Sequence, residues 1–194
     1  MRASLRHAFA VFAIALLAPA KNAHADVALD GLVEAGIAQR FVRDTRVPGT
    51  NLGPVLWLHG AIALLPFVRV GAYGHFELDT RTTFANRQVY AGGAFFRVDS
   101  PLRTPRWVPW LRVGVGYAAT HDPTERLLLP LTGQDDTWRG HLEIPLAIGV
   151  SYKFWKPFFM TFGSGVTLAL PGLAASANPD RLALHLALGL GFEH

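Results

Sequence analysis

Residues 138–153 read WRGHLEIPLAIGVSYK, and the alternation within them decides the fold. Trp138, Leu142, Ile144, Leu146, Ile148, Val150 and Tyr152 fall on one side of an extended chain. Arg139, His141, Glu143, Ala147, Gly149, Ser151 and Lys153 fall on the other. Successive side chains of a strand point to opposite faces, whereas a helix would scatter these polar groups around its circumference. The stretch therefore predicts a long amphipathic strand. Pro145 removes one ladder donor from it and predicts a bulge or local bend.

Working outward, seven further stretches repeat the pattern. Toward the C-terminus, residues 158–170 set Met160, Phe162, Val166 and Leu168 against Thr161, Gly163, Gly165 and Thr167. Residues 182–193 set five leucines and Phe192 against Ala183, His185, Ala187, Gly189, Gly191 and Glu193. Toward the N-terminus, residues 108–120 oppose Leu111, Val113, Val115 and Tyr117 to Trp110, Arg112, Gly114, Gly116 and Thr120. In residues 87–97, Val89, Ala91, Gly93 and Phe95 read as the apolar face and Gln88, Tyr90, Gly92 and Ala94 as the other. Residues 67–79 place Arg69, Gly71, Tyr73, His75, Glu77 and Asp79 opposite Val68, Val70, Ala72, Phe76 and Leu78. Residues 55–64 place Trp57, His59, Ala61 and Ala63 opposite leucines and Ile62, and residues 32–41 place Glu34, Gly36, Ala38 and Arg40 opposite Val33, Ala35, Ile37 and Phe41.

The connections alternate in length. Tight ones surround Leu65-Pro66 and 154–156, and a Pro-rich one spans 99–106; the longer, more polar ones are 43–54, 80–86, 121–137 and 171–181. Eight antiparallel strands with short turns at one end and long loops at the other describe an all-β transmembrane barrel. Three features turn its apolar face outward to lipid. The polar face is rich in Gly and Ala, which suits a crowded narrow lumen. Its charges are of both signs and isolated. Aromatic residues cap the apolar face: Trp138 and Tyr152 stand about 33 Å apart at ordinary strand rise and tilt, the spacing of two interfacial girdles, to which Tyr117 and Phe192 also belong.

Residues 1–25 carry the marks of an export signal: Arg2 and Arg6, an apolar stretch over 8–20, and Ala23-His24-Ala25 as a small-x-small cleavage site. The barrel domain is then 26–194. Of the 18 Lys+Arg, losing Arg2, Arg6 and Lys21 leaves 15 against 14 Asp+Glu. So slight a net charge excludes the global basic field that draws in nucleic acid. The chain has no cysteine, which excludes disulfides and thiolate metal sites.

Signal, alternating strands, alternating loops and an amphipathic last strand together make the chain similar to the small eight-stranded outer-membrane barrels, the OmpA/OmpX-like group. The resemblance implies residence in a bacterial outer membrane, contact with its lipids and lipopolysaccharide, and insertion by the barrel-insertion machinery. Members of that group usually end on an aromatic residue; here Phe192 stands two residues before the end.

The group spans many functions, so the site must carry the reading. Eight strands leave an interior just wide enough for side chains to fill it. Trp57, Tyr73, Tyr90, Trp110 and several arginines would obstruct it. The expectation is a non-enzymatic barrel contributing to envelope integrity or displaying loops for an unnamed ligand. A narrow or gated channel is the alternative, and a lipid-modifying hydrolase a further one. Simple hairpin registers set Glu143, Thr167 and His185 at one height, with Arg112 and His141 one step away, and a carboxylate, hydroxyl and imidazole together invite hydrolytic chemistry. Polar groups enclosed in a narrow barrel must, however, satisfy one another. Glu34, Arg40, His59, Arg69, His75, Glu77, Arg112, Arg139, His141, Glu143, Thr167 and His185 are therefore expected to form a structural lumen network with no catalytic member. The histidines His59, His75, His141 and His185 lie on four different strands without an i, i+2 pair, so neither metal nor cofactor is expected. Asp122, Arg126, Asp135 and Asp136 lie in the longest loop; they could meet divalent cations or lipopolysaccharide, but surrounding water is enough to account for their polarity.

Overall fold

The computed structural model describes residues 28–42, 51–79, 87–102, 104–121, 138–170 and 180–194. The stretch read as an export signal and most of the four long loops, including Asp122, Arg126, Asp135 and Asp136, lie outside them. The strands are β1 (Leu29–Val42), β2 (Asn51–Leu65), β3 (Val68–Asp79), β4 (Arg87–Asp99), β5 (Trp107–His121), β6 (Trp138–Trp155), β7 (Phe158–Leu170) and β8 (Asp180–Glu193). Each pairs antiparallel with the next, and β8 pairs with β1 to close a barrel. At the seam Leu29 and His194 exchange backbone hydrogen bonds, each 3.0 Å. Closure leaves no sheet edge, the condition on which strands can enter hydrocarbon at all. With 12 to 18 residues, the strands exceed the roughly 9–11 that a tilted strand needs to cross the apolar layer.

The β2–β3, β4–β5 and β6–β7 connections share one end of the barrel with both ends of the described chain. Lys156-Pro157, which turns β6 into β7, is a cis peptide. The strand ends at Val42 and Asn51, Asp79 and Arg87, His121 and Trp138, and Leu170 and Asp180 share the opposite end, the loop end. Pro145 does not shift the register of β6. Its pairing with β5 is the same on either side, Val113 with Leu146 and Gly116 with Glu143, and only the rungs between are missing. The missing N–H interrupts the ladder without adding a residue. The irregularity of β6 lies instead between Lys153 and Trp155, opposite β7.

Seven strands face as the alternation predicts; β4 is inverted. Arg87, Val89, Ala91, Phe95, Arg97 and Asp99 are buried in the lumen, while Tyr90 and Phe96 look outward. Apolar residues occupy both faces of β4, so hydropathy alone does not orient it. Its charges do: Arg97 and Asp99 at one end and Arg87 at the other can be enclosed with partners but not left in hydrocarbon. Tyr90 therefore does not obstruct the lumen.

Lumen glycines sit where another chain passes. A Cβ on Gly93 would stand 2.2 Å from the carbonyl oxygen of Val115 and 2.5 Å from Cα of Gly116, both backbone atoms of β5. The ring of Tyr73 fills the remaining space. Gly93→Val should lower stability by about 1–3 kcal/mol, the usual cost of overpacking. The midpoint of urea unfolding in vesicles measures it, and an unchanged midpoint would contradict this packing.

Candidate functional site

The polar residues of the lumen are stacked in tiers. At the turn end, Arg69 of β3 joins three strands: its Nε donates to Asp30 of β1, one Nη to Asp99 of β4, and the other to Glu193 of β8 at 3.0 Å. Arg97 Nε donates to the second oxygen of Asp99 at 2.8 Å, and its Nη2 to Ser151 Oγ at 3.2 Å. Lys153 Nζ donates to Glu193 at 2.5 Å. Three cations here meet three carboxylates, so the tier is electrically balanced.

Next comes Glu34, fully enclosed, which accepts from Arg112 Nη2 at 2.8 Å and faces His59 Nε2 at 2.7 Å. The guanidinium groups of Arg112 and Arg97 both lie 5.1 Å from the centre of the Trp110 ring. This cation–π arrangement partly replaces the water each cation has lost. Trp110 Nε1 donates to Thr161 Oγ1 at 3.2 Å.

Trp57 lies buried near mid-height in the lumen. His75 and His59 stack on it at 4.2 and 5.8 Å between ring centres, and His185 and Tyr73 tilt against it at 5.2 and 5.6 Å. Tyr73 donates its hydroxyl proton to Glu143 at 2.7 Å, and His75 Nε2 lies 3.1 Å from the same carboxylate. At the loop end Arg40 grips Glu77 with two hydrogen bonds, of 3.0 and 2.5 Å. Val89, Ala91 and Ala118 pack beside them. His141 and Thr167 are also buried at this end. Arg139 lies in β6, with its side chain outside the description.

The structure separates Glu143, Thr167 and His185 along the strands. Glu143 pairs with Ala169, and Thr167 with Pro145 and Ala183, while His185 stands opposite Gly165. Both hairpins are offset by two residues from simple registers. The turn after β6 falls at Lys156-Pro157, beyond an irregularity that consumes a residue. No hydroxyl–imidazole–carboxylate group results from these three. Among the described residues no three His, Asp or Glu are grouped as ligands for a metal.

Sequence reasoning missed the turn-end tier as a unit. Asp99 read as the start of a turn, and Arg97 as the last residue of its strand. The spacing Arg97-x-Asp99 was the available signal, since two charges on one face of a strand extend it inward by one more step.

Outside, the polarity is reversed. Val33, Ile37, Leu56, Leu58, Val115, Ile148, Phe162, Leu186, Leu188 and Leu190 all lie exposed on the wall. Two aromatic bands bound them. At the loop end Phe76, Tyr90 and Trp138 form a chain of contacts, with ring centres 5.0 and 5.9 Å apart. Tyr117 lies across Gly140 near them. At the turn end Trp107 meets Tyr152 at 4.6 Å and Trp155 meets Phe158 at 6.4 Å, while Phe192 covers Gly31. Charges sealed inside and leucines outside, between aromatic bands, make a barrel whose wall is built for a bilayer.

Solved structures that share this architecture include bacterial outer-membrane proteins. Neisserial surface protein A superposes with a TM-score of 0.62 over 86% of this chain and 99% of its own, at 15% identity. The N-terminal β-barrel domain of Pseudomonas aeruginosa OprF gives 0.52 over 85% and 97%, at 11% identity. This is the fold of the small eight-stranded outer-membrane barrels. The attachment invasion locus protein Ail of Yersinia pestis, solved with the heparin analogue sucrose octasulfate, shares it with a TM-score of 0.50 over 87% and 99%, at 10% identity. No family model and no curated sequence matches the chain. The likeness to these barrels is thus one of fold, at 10–15% identity.

Proposed function

We propose that this chain is a non-enzymatic outer-membrane barrel that contributes to envelope integrity or displays its loops for binding, its lumen serving as a structural plug. The observation that carries the reading is the filling of the lumen by charge-balanced tiers around Trp57 and Trp110. Cavities at the turn end measure about 20 and 10 Å³, on the order of a single water each, and are lined by Arg69, Arg97, Arg112 and their partners. Ions would have to part the pairs Arg69–Asp99, Arg112–Glu34 and Arg40–Glu77 and pass the rings around Trp57. Glu34, Glu77 and Glu143 are held by arginine, histidine or tyrosine. On the outer wall, Ser164 has Ile148 and Leu186 as its strand neighbours.

On this reading residues 1–25 direct export, the insertion machinery places the barrel, and lipopolysaccharide packs around the half nearer the long loops. The connection at 121–137, the longest in the sequence, is the first candidate for ligand display. Purified protein reconstituted in planar bilayers should remain electrically silent. Discrete, reproducible conductance steps would replace the plug with a channel.

A further inference from the structure

Asp30 lines both cavities at the turn end. The larger, about 20 Å³, also touches His59 and Arg112, so it spans from the Arg69 tier to the Glu34–Arg112 pair. The smaller, about 10 Å³, touches Lys153 and Glu193, whose side chains are 37% and 30% exposed at the mouth of the barrel. The Asp30 side chain is 9% exposed. Its Oδ2 accepts from Arg69 Nε, while its Oδ1 is fully enclosed and has no donor among the described residues. Asp30 also stands directly opposite Glu193 across the β1–β8 seam. Like charges so placed repel one another, and Arg69 reaches both. One carboxylate oxygen at the closure of the ring is thus left to find its donor inside the lumen.

We propose that the larger cavity binds a single water molecule, which donates a hydrogen bond to Asp30 Oδ1. The inference rests on the lumen being the plug described above. Three properties of the cavity select the ligand. Its volume suits one water and leaves no room for an organic molecule. Its charge is balanced, because Arg69, Arg97 and Arg112 already hold Asp30, Asp99 and Glu34. An anion would sit against Asp30 and a cation against three guanidinium groups, so a neutral molecule fits. The orphaned atom is an acceptor, so the ligand must donate. Water is small, neutral and a donor, and its lone pairs can meet guanidinium N–H groups on the same wall. Buried waters serve polar groups that the chain itself leaves unmatched. The route in is from the turn end. On the loop side lie Trp57 with the rings around it and, beyond them, the fully buried Val89 and Ala118.

A high-resolution crystal structure of the full barrel is the test. Wild type should show one spherical density peak within hydrogen-bonding distance of Asp30 Oδ1. Ala61 lines the same cavity from β2, and Ala61→Val should fill it and abolish the peak. A wild-type structure with no density at that position overturns the proposal, as does a peak that persists undiminished in the valine variant. Soaks in rubidium and bromide salts separate water from an ion, and an anomalous signal at the site overturns the water. The wild-type crystals and their soaks decide the matter even if the valine variant fails to fold. The same crystals separate the two levels of failure. A missing peak in an otherwise filled lumen overturns the water alone, whereas a continuous file of waters past Trp57 overturns the plug as well.

Discussion

Arg69→Met should cost the barrel about 3–5 kcal/mol of unfolding free energy, the range for removing one partner from a buried ionic group. Methionine matches the arginine stem in bulk, so the loss isolates the guanidinium. Three of its nitrogens serve three carboxylates on β1, β4 and β8. Without them Asp30 has no partner cation among the contacts described, and Asp99 and Glu193 keep only Arg97 and Lys153. Arg69→Lys should recover less than half of the loss, because one ammonium on a thinner stem cannot reproduce a planar fork directed at three acceptors. Urea unfolding in vesicles, followed by tryptophan fluorescence, measures both. A Met variant as stable as wild type would show that the turn-end tier is ornamental.

Leu188→Arg should cost about 2–4 kcal/mol in a bilayer, the penalty for a lipid-facing cation near mid-membrane. Leu188 is 59% exposed near the middle of β8, flanked by Phe162 on β7 and Ala35 on β1. In water such a side chain is a routine surface position, where exchange for arginine moves stability by no more than about 0.5 kcal/mol. The same substitution thus separates a lipid-facing wall from a wetted one. Reversible unfolding from phosphatidylcholine vesicles gives the difference, and a neutral outcome would place this wall in water. The comparison also needs Leu188→Met, which keeps the apolar character and should change little.

The strands and their orientation were legible wherever a charge or histidine marked one face, as Glu34, Arg69, Arg112 and Glu143 do. Once one such residue is assigned inward, period two orients the remainder of its strand. Residues 87–97 carry no such mark within their middle, and hydropathy there turns Val89, Ala91 and Phe95 to lipid although they fill the lumen. Register was less legible than orientation because it depends on where a turn bends. Two residues of error after β6 were enough to bring Thr167 beside Glu143 on paper. The tier around Arg69 was the least legible. Its partners are 39, 30 and 124 residues away along the chain, and only closure of the ring makes them neighbours.

The β1–β8 seam has a consequence for how the molecule can fail. Every strand in a ring has two neighbours, so losing any one of them opens two raw backbone edges at once. Hydrocarbon offers those amides and carbonyls no substitute partner, and half-assembled circles should therefore be scarce at equilibrium. Truncation before β8 should not yield a slightly weaker version of the protein. It should leave a chain with no stable place within the bilayer.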